Sequence, residues 1–197
     1  TPPTGKRELN RAMSPVMMGS TIKPVSIYGP ALEEGKSPAT IYHNIPVKIE
    51  GWDAQQDFPR NYGGGSYTGP TSMREGLRRS LNVVAAQTLT YDVGFETSKT
   101  YLEGLGIDPS HIQVNGSGLA LGTSSITPVE LAGAYSAIAN GGVYNEPISV
   151  LKVIDKDGNI ILDRTQNRVQ RRIFSEGTSW MLIDMMKDAI KNGTGQR

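Results

Sequence analysis

The sequence predicts an α+β domain. A capping box opens a helix at Thr127-Pro128-Val129-Glu130, a turn at Asp155-Lys156-Asp157-Gly158 folds two apolar segments into a hairpin, and several other segments carry apolar residues at helical spacing. At 197 residues, with 37% of them hydrophobic and a net charge of +1, the chain can bury one real core. Twenty basic and nineteen acidic residues are spread without long blocks, so no field gathers nucleic acid or an anionic membrane. Pairs such as Arg78-Arg79 and Arg171-Arg172 read as solvated faces. The absence of cysteine removes disulfides, thiolate nucleophiles and Cys-based zinc sites together. No run approaches the roughly 18 apolar residues of a membrane span, and the opening TPPTGKRELNR is unlike a signal peptide. Any anchor or export signal is expected outside these residues.

Residues 1–19 read as a polar lead-in. From Thr21 to about Gly35, Ile22, Val25, Tyr28, Ala31 and Leu32 recur at helical spacing, and Pro24 falls in the first turn, where a missing N–H costs nothing. That helix begins at or next to Ser20. Residues 36–70 hold Gly63-Gly64-Gly65 and only short strand-like pieces such as IPVKI, a long irregular excursion. Ser72 with Glu75 starts a short helix, and Asn82 is expected to cap the next. After Pro128 the stripe Leu131, Ala134, Tyr135, Ile138 runs to a stop at Asn140-Gly141-Gly142. The strands ISVLKVI and NIILDR flank the hairpin turn, and a last amphipathic helix over about Ser175–Lys191 carries Trp180, Ile183, Met186 and Ile190 and stops at Asn192-Gly193.

Ser20 and Lys23 stand three positions apart, so a helix puts them on one face about 5–6 Å apart at Cβ. A neutral lysine there can take the serine proton, helped by burial, which lowers a lysine pKa, and by the helix N-terminus, which favours an alkoxide. The same serine also fits an ordinary helix cap. Spacing alone does not decide, because Ser149 and Lys152 repeat it in a predicted strand, where positions three apart face opposite ways. The added signal is Ser80-Leu81-Asn82 at the junction of two short predicted helices. There the Ser80 hydroxyl can relay a proton between Lys23 and a leaving amine, while the Asn82 amide can hold Lys23 and a substrate carbonyl.

Ser-x-x-Lys followed by Ser-x-Asn resembles the opening of the penicillin-recognising serine acyltransferase pattern, which ends in Lys-Thr-Gly. More narrowly, LNRAMSPVMMGSTIKP, YTGPTSMREGLRRSLNVVAAQTL, LGIDPS and TPVELAGAYSAIANGGVYNEP are similar, in order, to the transpeptidase domain of class A (bifunctional) penicillin-binding proteins. The resemblance implies a penicillin-binding/serine β-lactamase-like fold, an antiparallel sheet flanked by helices. It implies a peptidoglycan transpeptidase that forms an acyl-enzyme on a stem peptide ending in D-Ala-D-Ala and is acylated by β-lactams. Ser20 would be the nucleophile, Lys23 its proton acceptor, Ser80 the proton shuttle and Asn82 the substrate and lysine anchor, with no metal and no cofactor. It also implies an extracytoplasmic position at a bacterial membrane, with the anchor and a glycosyltransferase upstream.

The third motif does not carry over. Lys191-Asn192-Gly193-Thr194-Gly195 ends a predicted helix, whereas the family places Lys-Thr-Gly on a strand lining the cleft. Residues 20–197 are therefore expected to be the N-terminal part of the domain, its sheet incomplete and its C-terminal remainder a partner in the same or a separate chain. Apolar surface around Trp180, Ile183 and Val150 is expected to be exposed. Two rivals stand beside this reading. A serine β-lactamase would use Glu130 to activate water, but the capping box already accounts for that residue; a penicillin-binding sensor would keep the fold without turnover. A Ser-His-Asp hydrolase would need His43 or His111, which follow no recognisable elbow, and the triple glycine lacks the Lys-Ser or Lys-Thr of a phosphate loop.

Overall fold

The structure, a computed structural model, describes residues 9–52, 59–64, 67–165 and 168–196. The first eight residues of the lead-in and Gly65 lie outside them. In chain order come β1 (Val16–Met17), a helical run from Gly19 that ends in α1 (Gly29–Glu33), β2 (Ile41–Asn44), β3 (Gly69–Ser72), α2 (Met73–Arg78) and α3 (Asn82–Gln87). Then follow α4 (Phe95–Gly104), β4 (Ser125–Ile126), α5 (Pro128–Ala139), β5 (Val143–Asn145), β6 (Lys152–Ile154), β7 (Ile160–Asp163), β8 (Gln170–Arg172) and α6 (Glu176–Asn192).

The run from Gly19 to Glu33 changes its winding twice. It starts as a 3₁₀ turn over Gly19–Ile22, widens to a π segment over Pro24–Tyr28, and settles as α1. Pro24 supplies one reason, since it has no N–H to give to the preceding turn. Ser26 supplies another: its Oγ lies 2.9 Å from Ile22 O and 2.7 Å from Leu119 O, sharing one proton between them, while Ser98 Oγ donates to the Ser26 carbonyl at 2.6 Å. These ties fasten the run to its neighbours. Every residue from Ile22 to Leu32 is buried, so this is the central helix of the core. Around it pack α4, α6 and two further π segments, Thr88–Val93 and Ser117–Leu121.

The strands are antiparallel, as predicted, but among the described residues they form four separate two-stranded ribbons and no larger sheet. Of the helices, α5 carries both halves of its box, Glu130 N to Thr127 Oγ1 at 3.2 Å and Thr127 N to Glu130 Oε2 at 2.8 Å. The hairpin forms with Asp155 accepting from the N–H groups of Asp157 and Asn159. Two expectations change. The strand near residue 45 is Ile41–Asn44 and not IPVKI, because its edge pairs with β3 and with the Gln87 side chain at His43. The β6 strand begins only at Lys152, which leaves Ser149 in a bend outside it. The exposure expected at Trp180 and around Val150 is found: α6 buries Thr178, Ser179, Leu182 and Met185, while Trp180 is 69%, Ile190 65% and Val150 45% exposed. Ile183 and Met186 are only partly buried against the core, so the apolar stripe of α6 is only partly covered among the described residues.

Candidate active site

The turn that carries Ser80 comes first, because its backbone is unusual. The end of α2 closes as a Schellman motif: Ser80 N–H reaches Leu77 O at 3.0 Å and Leu81 N–H reaches Gly76 O at 2.8 Å. Glycine ordinarily fills the left-handed position of this motif, yet here it is Ser80, with φ of 54°, the one non-glycine residue with positive φ among those described. The serine hydroxyl is thus held at a place where its backbone would prefer glycine. Strain of this kind persists when surrounding contacts over-determine it.

Lys23 is one of those contacts. Its side chain leaves the central helix and spans to the turn, where Nζ donates to Ser80 O at 2.9 Å, Ser80 Oγ at 3.2 Å and Asn82 Oδ1 at 2.7 Å. An ammonium has three N–H bonds, and these three acceptors use them all. Lys23 is fully buried, and burial lowers its pKa to about 7. Near neutral pH a large share of this lysine is therefore an unprotonated amine.

Ser20 sits one turn back on the same helix, in the 3₁₀ segment, where positions three apart stack over one another. It is exposed, and among the described residues no hydrogen bond reaches its Oγ. The expected Ser20–Lys23 hydrogen bond is thus not made, since the lysine is fully engaged by Ser80 and Asn82. The capping alternative for Ser20 is not realised either. Met18 occupies the cap position, without a side-chain bond. Ser20, Ser80 and Asn82 line one cavity of about 630 Å3, together with Asn61, Tyr62 and Thr194. The backbone of the Ser20 turn is braced from behind. Gly19 N–H donates to Gly122 O at 3.0 Å, and a Cβ on Gly122, whose φ is 78°, would lie 2.0 Å from Gly19 O. No side chain fits there.

Asn82 departs from expectation in an informative way. It does not cap α3; it is the first helical residue, and Leu81 stands at the cap with nothing to offer. Its amide is spent on Lys23 through Oδ1 and on the Arg60 carbonyl through Nδ2, at 2.7 Å each. Asn61, Tyr62 and Thr194 are cavity residues that sequence reasoning passed over. Thr194 lay in the Lys191–Gly195 stretch, which indeed ends a helix; its N–H donates to Arg78 O at 3.2 Å, beside the Ser80 turn. Asn61 gave no signal, being one asparagine in an irregular loop.

Other candidates fall elsewhere. Lys152 pairs with Asp163 at 3.5 Å, far in role from any serine. Glu130 is not among the cavity residues. Its oxygens accept from Thr127 N and Oγ1 and from Asp108 N at 2.9 Å, and lie 3.0 Å from His111 Nδ1. Desolvation would raise its pKa, but these bonds outweigh it and hold the carboxyl below its usual range.

Comparison with known proteins sets this geometry in context. Penicillin-binding protein 1F of Bacillus subtilis (strain 168) is 36% identical over 94% of this chain, which spans 25% of that protein. Penicillin-binding protein 1A of Streptococcus pneumoniae (strain ATCC BAA-255 / R6) is 37% identical over 90% of the chain and 25% of its own length. The chain thus spans about a quarter of these curated relatives. The crystal structure of penicillin-binding protein 1A from Haemophilus influenzae superposes on 97% of the chain, using 32% of its own, with a TM-score of 0.79 at 25% identity. Penicillin-binding protein A from M. tuberculosis, solved as an imipenem acyl-enzyme complex, shares the fold over 93% of this chain and 46% of its own at a TM-score of 0.75 and 23% identity. The family described as penicillin binding protein transpeptidase domain matches residues 2–197, from the lead-in through the Ser20 helix and the Ser80 turn to the end of α6, and the chain belongs to that family.

Proposed function

We propose that this chain carries the acylation centre of a peptidoglycan DD-transpeptidase, with Ser20 as nucleophile, Lys23 as its base, Ser80 as proton shuttle and Asn82 as anchor. The observation that carries the reading is Lys23: a buried amine with a pKa near 7, fully engaged by Ser80 and Asn82, on the same helix as a serine hydroxyl that opens into the shared cavity.

The steps follow from these positions. Unprotonated, Lys23 has two N–H bonds and a lone pair; it gives up one of its three acceptors, and the lone pair accepts the Ser20 proton as Oγ attacks the carbonyl of the penultimate D-alanine. The Ser20 N–H, in a first helical turn where amides lack intrahelical partners, donates to the developing oxyanion. Ser80 Oγ, 3.2 Å from Lys23 Nζ, passes a proton to the departing D-alanine amine, and a stem-peptide ester remains on Ser20. An amine from a second stem peptide then takes the acyl group. The triplet Lys-Thr-Gly does not occur in these 197 residues. The proposal assigns the substrate carboxylate contact and the second oxyanion donor to a segment outside them, the C-terminal remainder of the domain. Among the described residues no helix is long and apolar enough to cross a membrane, and the proposed placement at the outer face of the cell membrane rests on an anchor elsewhere in the protein.

The test uses the full-length protein and a labelled penicillin. Label is expected on the peptide that contains Ser20, and Ser20→Ala is expected to abolish it. Label on Ser149, or label that persists in Ser20→Ala, overturns the assignment.

A further inference from the structure

The helix that carries Asn82 is capped from outside its own segment. The first turn of α3 needs an acceptor for its N–H groups, and Leu81 at the cap has none. Asn61, from the loop 22 positions earlier, supplies it: Val83 N–H donates to Asn61 Oδ1 at 3.1 Å. Asn61 is itself 6% exposed, and its Nδ2 donates to Asn44 Oδ1 at 2.7 Å. Asn44 Nδ2 continues to Thr68 Oγ1 at 2.9 Å, and Thr68 shares a proton with Thr71 at 2.7 Å. A chain of side-chain bonds, buried at Asn61 and partly buried at Thr68, therefore runs from β2 and β3 through Asn61 into α3.

The residue beside Asn61 completes the arrangement. Asn82 Nδ2 donates to the Arg60 carbonyl at 2.7 Å while Asn82 Oδ1 accepts from Lys23. A primary amide is planar with two N–H bonds, so a contact at each end defines its plane, and one N–H is left over. Asn82 lines the same cavity as Ser20, which is where a ligand would meet that remaining donor. The Nδ2 contact is lost if the Arg60 carbonyl moves, and Asn61, the next residue, fastens this stretch of loop to α3 through Val83 N–H.

We propose that Asn61 is a positioning residue: it caps α3 from the loop, holds the Arg60 carbonyl against Asn82, and so orients the Asn82 amide with Oδ1 on Lys23 and one N–H reserved for a substrate amide carbonyl. The proposal builds on the acylation centre assigned above, and its test separates the two. The full-length protein and its Asn61→Ala variant are reacted with benzylpenicillin, which carries a side-chain amide, and with 6-aminopenicillanic acid, which does not. Loss of one hydrogen bond to the ligand predicts a drop of about tenfold in benzylpenicillin acylation and less than about threefold for 6-aminopenicillanic acid. Asn44→Ala, which removes the second anchor of Asn61, shifts the ratio the same way by a smaller factor. Leu105→Ala, a core truncation that lowers stability, leaves the ratio unchanged. A readout without turnover accompanies these: in selectively labelled protein the Asn82 side-chain N–H groups exchange with solvent about tenfold faster in Asn61→Ala than in wild type. Equal losses for both drugs, or Asn82 exchange unaltered by Asn61→Ala, overturn the positioning role. Faster Asn82 exchange in a protein whose Ser20 takes no drug at all would uphold that role and overturn the function.

Discussion

Two lysines in this molecule each follow a serine by three residues, and the fold treats them in opposite ways. Lys23 lies in a helix buried from Ile22 to Leu32, and loses its proton near pH 7. Lys152 begins a two-stranded ribbon, keeps 39% of its side chain exposed and pairs with Asp163. The ribbon exposes Leu151, Ile154, Ile160 and Ile161, at 49, 54, 56 and 68%. Identical spacing becomes a buried amine of lowered pKa in one place and a surface ion pair in the other. What separates them is the desolvation the core imposes, together with the acceptors waiting at the far end of the side chain.

The comparison is broken most severely at Lys23. Replacing it with alanine is expected to slow penicillin acylation by about 10³-fold, the typical worth of a positioned base, whereas Lys152→Ala leaves the rate unchanged; adduct formation followed by mass spectrometry reads both. With Lys23 as the proposed base, the wild-type rate should rise as pH climbs through about 7, where its unprotonated form gains population.

Stability should respond to the same group, and the sign follows from the direction of its shift. Lys23 holds its proton less tightly when folded than at its ordinary value of 10.5, so between about 7 and 10.5 the unfolded chain binds more protons. Stability therefore rises with pH across that window, by at most about 1.4 kcal/mol per pH unit. Denaturant melts between pH 7.5 and 9.5 should show a slope that Lys23→Met removes. Beside it, Ile22→Ala is expected to cost about 2–5 kcal/mol as a buried truncation, while Ile161→Thr on the ribbon stays within about 0.5 kcal/mol.

A smaller effect sharpens the boundary of the site. Glu130→Gln should cost about 1 kcal/mol through the weakened cap of α5 and leave the lifetime of the penicilloyl adduct unchanged. Its depressed carboxyl contributes stability above the ordinary glutamate range that fades as pH falls toward the folded value. Rapid adduct loss from wild type, abolished by Glu130→Gln, would turn the reading toward a drug-hydrolysing enzyme.

Much of this was legible in the residues themselves. Local chemistry settles a capping box, and Thr127 with Glu130 needed nothing but its own turn. The hairpin at Asp155 and the helical placement of Ser20 with Lys23 follow in the same way, because their partners lie within a few positions. The stripe of α6 is a different case, since it carries more apolar residues than it buries, and only the neighbours decide which of them are covered. Periodicity names a helix without orienting it.

The active state of the site belongs to tertiary structure. Lys23 meets Ser80 and Asn82 across 57 and 59 positions, and the first turn of α3 takes its acceptor from Asn61, 22 positions before Val83. The left-handed backbone of Ser80 arises from how α2 ends and is held by the lysine that reaches it. Sequence determined which groups were available and that two of them share a helix face. The lowered pKa and the orientation of the Asn82 amide were decided only when the chain closed, because desolvation and long-range hydrogen bonds exist only where distant segments exclude water together.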